Sequence, residues 1–163
     1  MLEDLFQDVD RRKLAVSLAL PYAAGIIGGF LTQTTVNTWY PTLVKPWFNP
    51  PDILFRIVWP VLYTLMGIAL YDVWNRGLES RTGRVAVYLF GLQLFLNAAW
   101  SGAFFTLKSP SVGLAVIVAL FGTLIATVYY FYQISRRAAW LLVPYLLWTS
   151  YAVLLNASIW AMN

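Results

Sequence analysis

Polar and charged positions fall in short clusters along the chain, separated by apolar runs too long and too continuous to be one face of a surface helix. Five such runs occur, at residues 14–33, 53–74, 85–107, 109–135 and 138–162. A hydrocarbon layer about 30 Å thick needs about 20 apolar residues per helix, so each run is long enough to cross it. Four are free of charge. The second carries Arg56 and Asp72 near its two ends, where a long side chain can reach the interface and a carboxylate can stay hydrated. The pattern predicts an all-α, polytopic membrane bundle of five transmembrane helices, folded as one domain over residues 1–163. Three connections are short, at 75–84, 108–110 and 133–137. The fourth, at 34–52, is long.

The long connection and the start of the second run read WYPTLVKPWFNPPDILF, residues 39–55, with four prolines and five aromatic residues in seventeen positions. Interfacial Trp and Tyr are common membrane anchors, and an aromatic belt would account for Trp39, Tyr40, Trp47 and Phe48. It does not account for Pro41, Pro46, Pro50 and Pro51. Each proline fixes φ and restricts the residue before it, lowering the entropy lost when the segment adopts one shape. A rigid lid, docked by its aromatic side chains across the mouth of the bundle, accounts for both features.

Beneath that lid, polar and aromatic residues recur at helical spacing. Gln93, Asn97, Trp100, Ser101 and Phe104 form one stripe on the third helix; Tyr145, Trp148, Ala152 and Asn156 form another on the fifth; Trp59, Tyr63 and Met66 form a third on the second. Residue by residue these read as interhelical glue, with Asn97, Ser101 and Asn156 bonding across helices for about 1 kcal/mol each. Glue alone does not predict three Trp/Tyr-rich stripes converging under a rigid cap. An apolar lining with a few polar groups describes a pocket for a flat hydrophobic ligand. Gly25 and Gly29 form a GxxxG that serves packing within one chain as readily as between two, so it leaves a homodimer open.

Composition agrees with the membrane reading: 60% of residues are hydrophobic and only 11% charged, against roughly a quarter in soluble domains. The net charge of +4 reflects topology rather than nucleic-acid binding, because the bases flank apolar spans and form no single patch with interleaved aromatics. With five spans, Arg11, Arg12, Lys13, Arg76, Arg81, Arg84, Arg136 and Arg137 share one side, and Lys45, Arg56 and Lys108 the other. That split of eight to three places the N-terminus in the cytoplasm and the lid and C-terminus on the non-cytoplasmic side. Residues 1–10 are acidic and the following run is long, which fits a first span better than a cleaved signal peptide.

The absence of Cys and His removes disulfides, thiol catalysis and the usual axial ligands of haem iron. Only Met66 lies well inside a span among the methionines, Asp72 sits near a helix end and Glu79 in a loop. No metal site is expected, and no pair of intramembrane carboxylates exists for acid/base work. Any reaction would draw its chemistry mainly from the ligand.

Through WYPTLVKPWFNPPDILF, VWPVLYTLMGIALYDVW at 58–74, NAAWSGAFF at 97–105 and LLVPYLLWTSYAVLLN at 141–156, the chain resembles the TspO/MBR family. These are the tryptophan-rich sensory proteins, whose animal members are the translocator proteins or peripheral benzodiazepine receptors. The resemblance implies a five-helix bundle, often dimeric, whose pocket opens toward the first loop and binds porphyrins such as protoporphyrin IX, and in animals also cholesterol and synthetic drugs. It maps ligand contacts onto Tyr40, Trp59, Tyr63, Asn97, Trp100, Ser101, Trp148 and Ala152. Residues linked in some bacterial members to light-dependent porphyrin breakdown match Trp59 and Trp148, the two candidate catalytic residues.

Lid and stripe residues extend the candidate ligand-binding set to Trp39, Pro50, Phe55 and Tyr145. No cofactor is required on this reading; a tetrapyrrole is the ligand, the bilayer is the surrounding partner, and no nucleic acid is involved. The chain departs from the animal members at its end, WAMN, where no base follows to complete their sterol motif. A lipid or sterol carrier using the same groove is the alternative function, and a scaffold passing a stress signal to a partner protein is a third.

Overall fold

The computed structural model describes residues 9–163; most of the acidic N-terminal stretch lies outside the described residues. Five helices follow one another: α1 (Arg11–Gln33), α2 (Asp52–Gly77), α3 (Arg81–Ser101), α4 (Pro110–Ile134) and α5 (Arg136–Met162). Each is long and apolar enough to cross a bilayer, and the described residues contain no strand. The chain is a multi-pass membrane protein. Closing every backbone hydrogen bond within a helix is what allows such segments to leave water.

The helix starts are written locally. The Asp10 carboxylate accepts from the backbone N–H of Arg12 and Lys13, and the Ser80, Ser109 and Ser135 hydroxyls accept from Gly83, Val112 and Ala138. Caps of this kind satisfy donors that a helix start otherwise leaves orphaned. They also shorten the connections: α2 reaches α3 through residues 78–80, and Ser135 alone separates α4 from α5. The first of these turns depends on Gly83, where a Cβ would overlap the Gly77 carbonyl and press on the Leu78 backbone.

The core is apolar and aromatic, built on Leu62, Met66, Leu70 and Val73 of α2, Phe90 of α3, Leu124 and Phe131 of α4, and Leu142 and Tyr145 of α5. Phe90 and Phe131 stack with ring centroids 5.7 Å apart. Large apolar side chains also point outward, among them Phe30, Phe95, Trp140 and Leu147, all more than 60% exposed. In lipid that outer face carries no hydrophobic penalty.

Asp72 is drier than its place near a helix end suggests. Its side chain is 14% exposed and its carboxylate accepts from Ser135 Oγ at 2.5 Å and from Arg76 Nε at 2.7 Å. The Ser135 hydroxyl thus ties α2 to the α4–α5 corner. The glycines of α1 do not act as one motif: a Cβ at Gly25 would strike the Tyr63 ring, one at Gly28 would approach Ser101 Oγ at 3.2 Å, and one at Gly29 would meet nothing.

Candidate ligand site at the lid end

At its far end α3 changes pitch. Gly102–Thr106 forms a π-helical turn, closed by Leu107 N–H donating to the Gly102 carbonyl at 2.9 Å, and Lys108 ends it with φ at 51°. Ala103, Phe104 and Phe105 are all buried as a result. In an α-helix three consecutive side chains point about 100° apart. Here Phe104 and Phe105 both face the bundle, with Leu155 and Ile159 of α5 beside them.

The lid docks on that platform. Trp39 meets Phe104 edge-on at 5.7 Å, and Tyr40 packs on Phe105 at 5.5 Å. Thr35 Oγ1 donates to the Phe105 carbonyl at 2.8 Å, and Tyr151 of α5 donates to the Phe48 carbonyl at 2.5 Å. The Asn163 side chain brackets Val44, accepting from its N–H and donating to its carbonyl, each at 2.9 Å. Pro46 and Pro50 are buried, and Pro51 caps α2. Trp47 breaks the pattern: it is 95% exposed and touches Phe48 edge-on from outside, so it suits an interfacial anchor better than a lid contact.

The Tyr40 phenol is pushed up to about 12, chiefly by burial and further by the Asp52 charge. It therefore stays protonated and donates to Asn49 Oδ1 at 3.0 Å, which stiffens the lid from within. Lys45 adds a cation 4.6 Å from the same ring.

Below the lid the three stripes meet. Asn97 of α3 sits between two phenols: Tyr63 of α2 donates to its Oδ1 at 3.4 Å, and its Nδ2 donates to Tyr145 of α5 at 2.8 Å. Trp59 stacks on Tyr63 at 5.4 Å and stands edge-on to Tyr145 and Trp148 at 6.3 and 6.5 Å. Phe55 meets Trp148 edge-on at 5.6 Å, which joins this aromatic box to the lid cluster. Trp100 is turned along α3 toward the lid, packing on Phe104 at 5.6 Å and donating from Nε1 to Asn156 Oδ1 at 3.0 Å. Asn156 donates in turn to the Pro110 carbonyl at 2.8 Å.

Two members of the expected set stand apart from the box. Ser101 faces α1 at Gly28, and Ala152 lies half-buried one turn beyond Trp148. Trp39, Tyr40 and Pro50 form the roof. The rings of Trp59, Tyr63, Tyr145 and Trp148 pack on one another as an aromatic box. Tyr151, outside the expected set, packs on Trp148 at 5.7 Å and holds Phe48; its spacing of three from Trp148 was the available signal. Among the described residues no group of three or more His, Cys, Asp or Glu side chains converges as a metal site. The box offers flat π-surfaces, one amide and two phenols, which suit stacking and neutral hydrogen bonding.

The sequence model of the TspO/MBR family matches residues 17–161. The chain belongs to the TspO/MBR family. It is 43% identical to the tryptophan-rich protein TspO of Chlorobaculum tepidum over 150 residues, covering 92% of this chain and 95% of that one. It is 42% identical to the protein of the same name from Archaeoglobus fulgidus, covering 93% and 97%. Against the translocator protein of Bos taurus it is 34% identical, covering 88% and 86%. All eight tryptophans of this TspO/MBR protein, from Trp39 in the lid to Trp160 near the end of α5, lie within the matched region.

Proposed function

We propose that this TspO/MBR protein binds free-base tetrapyrroles of the protoporphyrin IX type in the box beneath the lid. The observation that carries the reading is the convergence of Trp59, Tyr63, Tyr145 and Trp148 around Asn97, between α2, α3 and α5. A macrocycle stacks on indole faces, and the Asn97 amide supplies neutral donors and acceptors to its polar atoms. Trp59 and Trp148 then flank the ligand. Under light, dioxygen is the oxidant of the excited porphyrin and the two indoles beside it serve as electron donors or radical quenchers, which makes oxidative breakdown a secondary activity and stress sensing a use for it.

Titration with protoporphyrin IX in detergent tests this through tryptophan emission. Saturable quenching is expected, and Trp148→Ala should weaken it by about tenfold, in line with ~1–3 kcal/mol per stacked ring. Quenching that never saturates, or a Trp148→Ala protein with full affinity, would remove the reading. A lipid or sterol ligand is the second reading, because a groove between α2 and α5 opens toward the bilayer; displacement of porphyrin by sterol or phospholipid separates the two.

The basic clusters at 11–13, 76–84 and 136–137 support a cytoplasmic location for that end and a non-cytoplasmic lid. A single cysteine at Thr42, which is exposed in the lid, should react with an impermeant maleimide added outside intact cells. Labelling only after the membrane is opened would reverse the orientation.

A further inference from the structure

The seams around the aromatic box differ in how they are held. Between α1 and α2, Tyr22 donates to the Pro60 carbonyl at 3.1 Å and pairs with Thr64 Oγ1 at 2.9 Å. Between α3 and α5, Asn97 reaches Tyr145 and Trp100 reaches Asn156. The lid above is tied by Asn163, Tyr151 and Thr35. At the lid half of the seam between α2 and α5, ring contacts of Phe55 and Trp59 with Trp148 make the crossing, and beside them lies an open groove of about 580 Å³, lined by Leu54, Ile57, Val58 and Val61 on one side and Leu147 and Trp148 on the other.

Trp148 belongs to both spaces. One side of it lines the groove; the other meets Phe55, Trp59 and Tyr151 in the interior. Its Nε1 is buried and has no hydrogen-bond partner, so ring contacts alone hold the indole in place. Both helices also carry an internal proline, Pro60 in α2 and Pro144 in α5, and Pro144 lines the groove. Each removes a backbone hydrogen bond and eases local bending.

Depth narrows the occupant. Trp148 lies two turns inward of Asn156, which bonds the Pro110 carbonyl at the start of α4. At 1.5 Å per residue the indole is ~12 Å below that level, well inside a hydrocarbon layer about 30 Å thick. An ester carbonyl anchored at the lipid headgroup level stops short of it. An acceptor for this N–H must come from a molecule that lies within the hydrocarbon.

We propose that the α2–α5 groove is the membrane-side vestibule of the box. A tetrapyrrole dissolved in the bilayer docks there on the groove side of Trp148, and as the ring turns the buried indole N–H comes to face the ligand's polar atoms and the ligand passes inward. This rests on the tetrapyrrole reading of the box. It assigns exchange with the bilayer to the seam and leaves retention to the lid.

The test fills the groove from its lipid-facing rim with Val61→Trp or, on the facing helix, Leu147→Trp. Both positions are more than half exposed, and thermal melting checks that each variant is folded. Protein in phosphatidylcholine vesicles is mixed with vesicles holding protoporphyrin IX, and transfer is followed by porphyrin emission. Association and dissociation should both slow by about tenfold with the equilibrium affinity unchanged, the signature of a gate as opposed to a binding contact.

Unchanged rates in both filled variants, with saturable binding intact, overturn the vestibule and leave the box reading standing. Loss of affinity without slowing also overturns it, by making the groove the final site. If the unsubstituted protein shows no saturable binding, the box reading falls and this inference falls with it.

Discussion

Replacing Asn97 with leucine is expected to lower the thermal midpoint in detergent by about 5–10 °C and to weaken porphyrin binding by more than tenfold. Among the described residues Asn97 is the one side chain that bonds both Tyr63 and Tyr145, so the change orphans two phenols at once. Interhelical hydrogen bonds in membranes average about 0.6 kcal/mol and reach about 1.7. A buried polar group left without a partner costs about 1–3 kcal/mol. Together these put the loss near 2–4 kcal/mol, and a chain of this size shifts by about 2–4 °C per kcal/mol.

Binding suffers separately, because the amide is the polar centre of the box. Ser101→Ala supplies the contrast, since Ser101 faces Gly28 and not the aromatic rings. It should leave affinity unchanged. A folded Asn97→Leu protein with full affinity would reduce Asn97 to helix packing and move the ligand elsewhere.

Gly83→Ala is expected to destabilise the bundle by about 2 kcal/mol or more, although alanine favours a helix over glycine by about 1 kcal/mol. The added methyl would overlap the Gly77 carbonyl, and the neighbouring atoms, Gly77 C and Leu78 Cα, are also backbone. No side chain can move aside, so the turn itself must shift. Overpacking of this kind costs about 1–3 kcal/mol and occasionally more. The Ser80 cap, bonded both to Gly83 N–H and to the Gly77 carbonyl, would be strained with it.

Gly91 and Gly122 meet nothing within 4 Å of a built Cβ. Their alanine variants should be neutral or more stable by up to ~1 kcal/mol. Chemical denaturation of the three variants side by side checks the prediction. A Gly83→Ala protein as stable as Gly91→Ala would mean that the 78–80 connection is built differently.

Much of the architecture was legible along the chain because the constraint behind it is local. A backbone leaving water must satisfy its own hydrogen bonds, so an apolar run of sufficient length becomes a spanning helix whatever surrounds it. The five expected spans accordingly match α1 to α5 to within a few residues. Ser80 and Ser135 start α3 and α5 sooner than loop length suggested, and the π-turn at Gly102–Thr106 ends α3 earlier than its apolar run does. The Pro-rich connection was likewise readable as an ordered element, since proline acts on its own φ and on the residue before it.

What side chains do at a distance followed other rules. Helical spacing placed Asn97, Trp100 and Ser101 on one stripe, yet Asn97 turns to Tyr63 and Tyr145, Trp100 to Asn156 and Ser101 to Gly28. Spacing sets angles around one helix axis, whereas partners depend on the rotation and offset of the neighbouring helices. The π-turn at Gly102–Thr106 that brings Phe104 and Phe105 under the lid has no periodicity to announce it. Trp47, equal to Trp39 in composition, faces outward because the lid's path leaves it no platform. The helices and their number follow from the cost of an unpaired backbone in lipid, which each segment settles alone. The box, its roof and the groove beside it follow from how helices pack, and only the assembled bundle decides that.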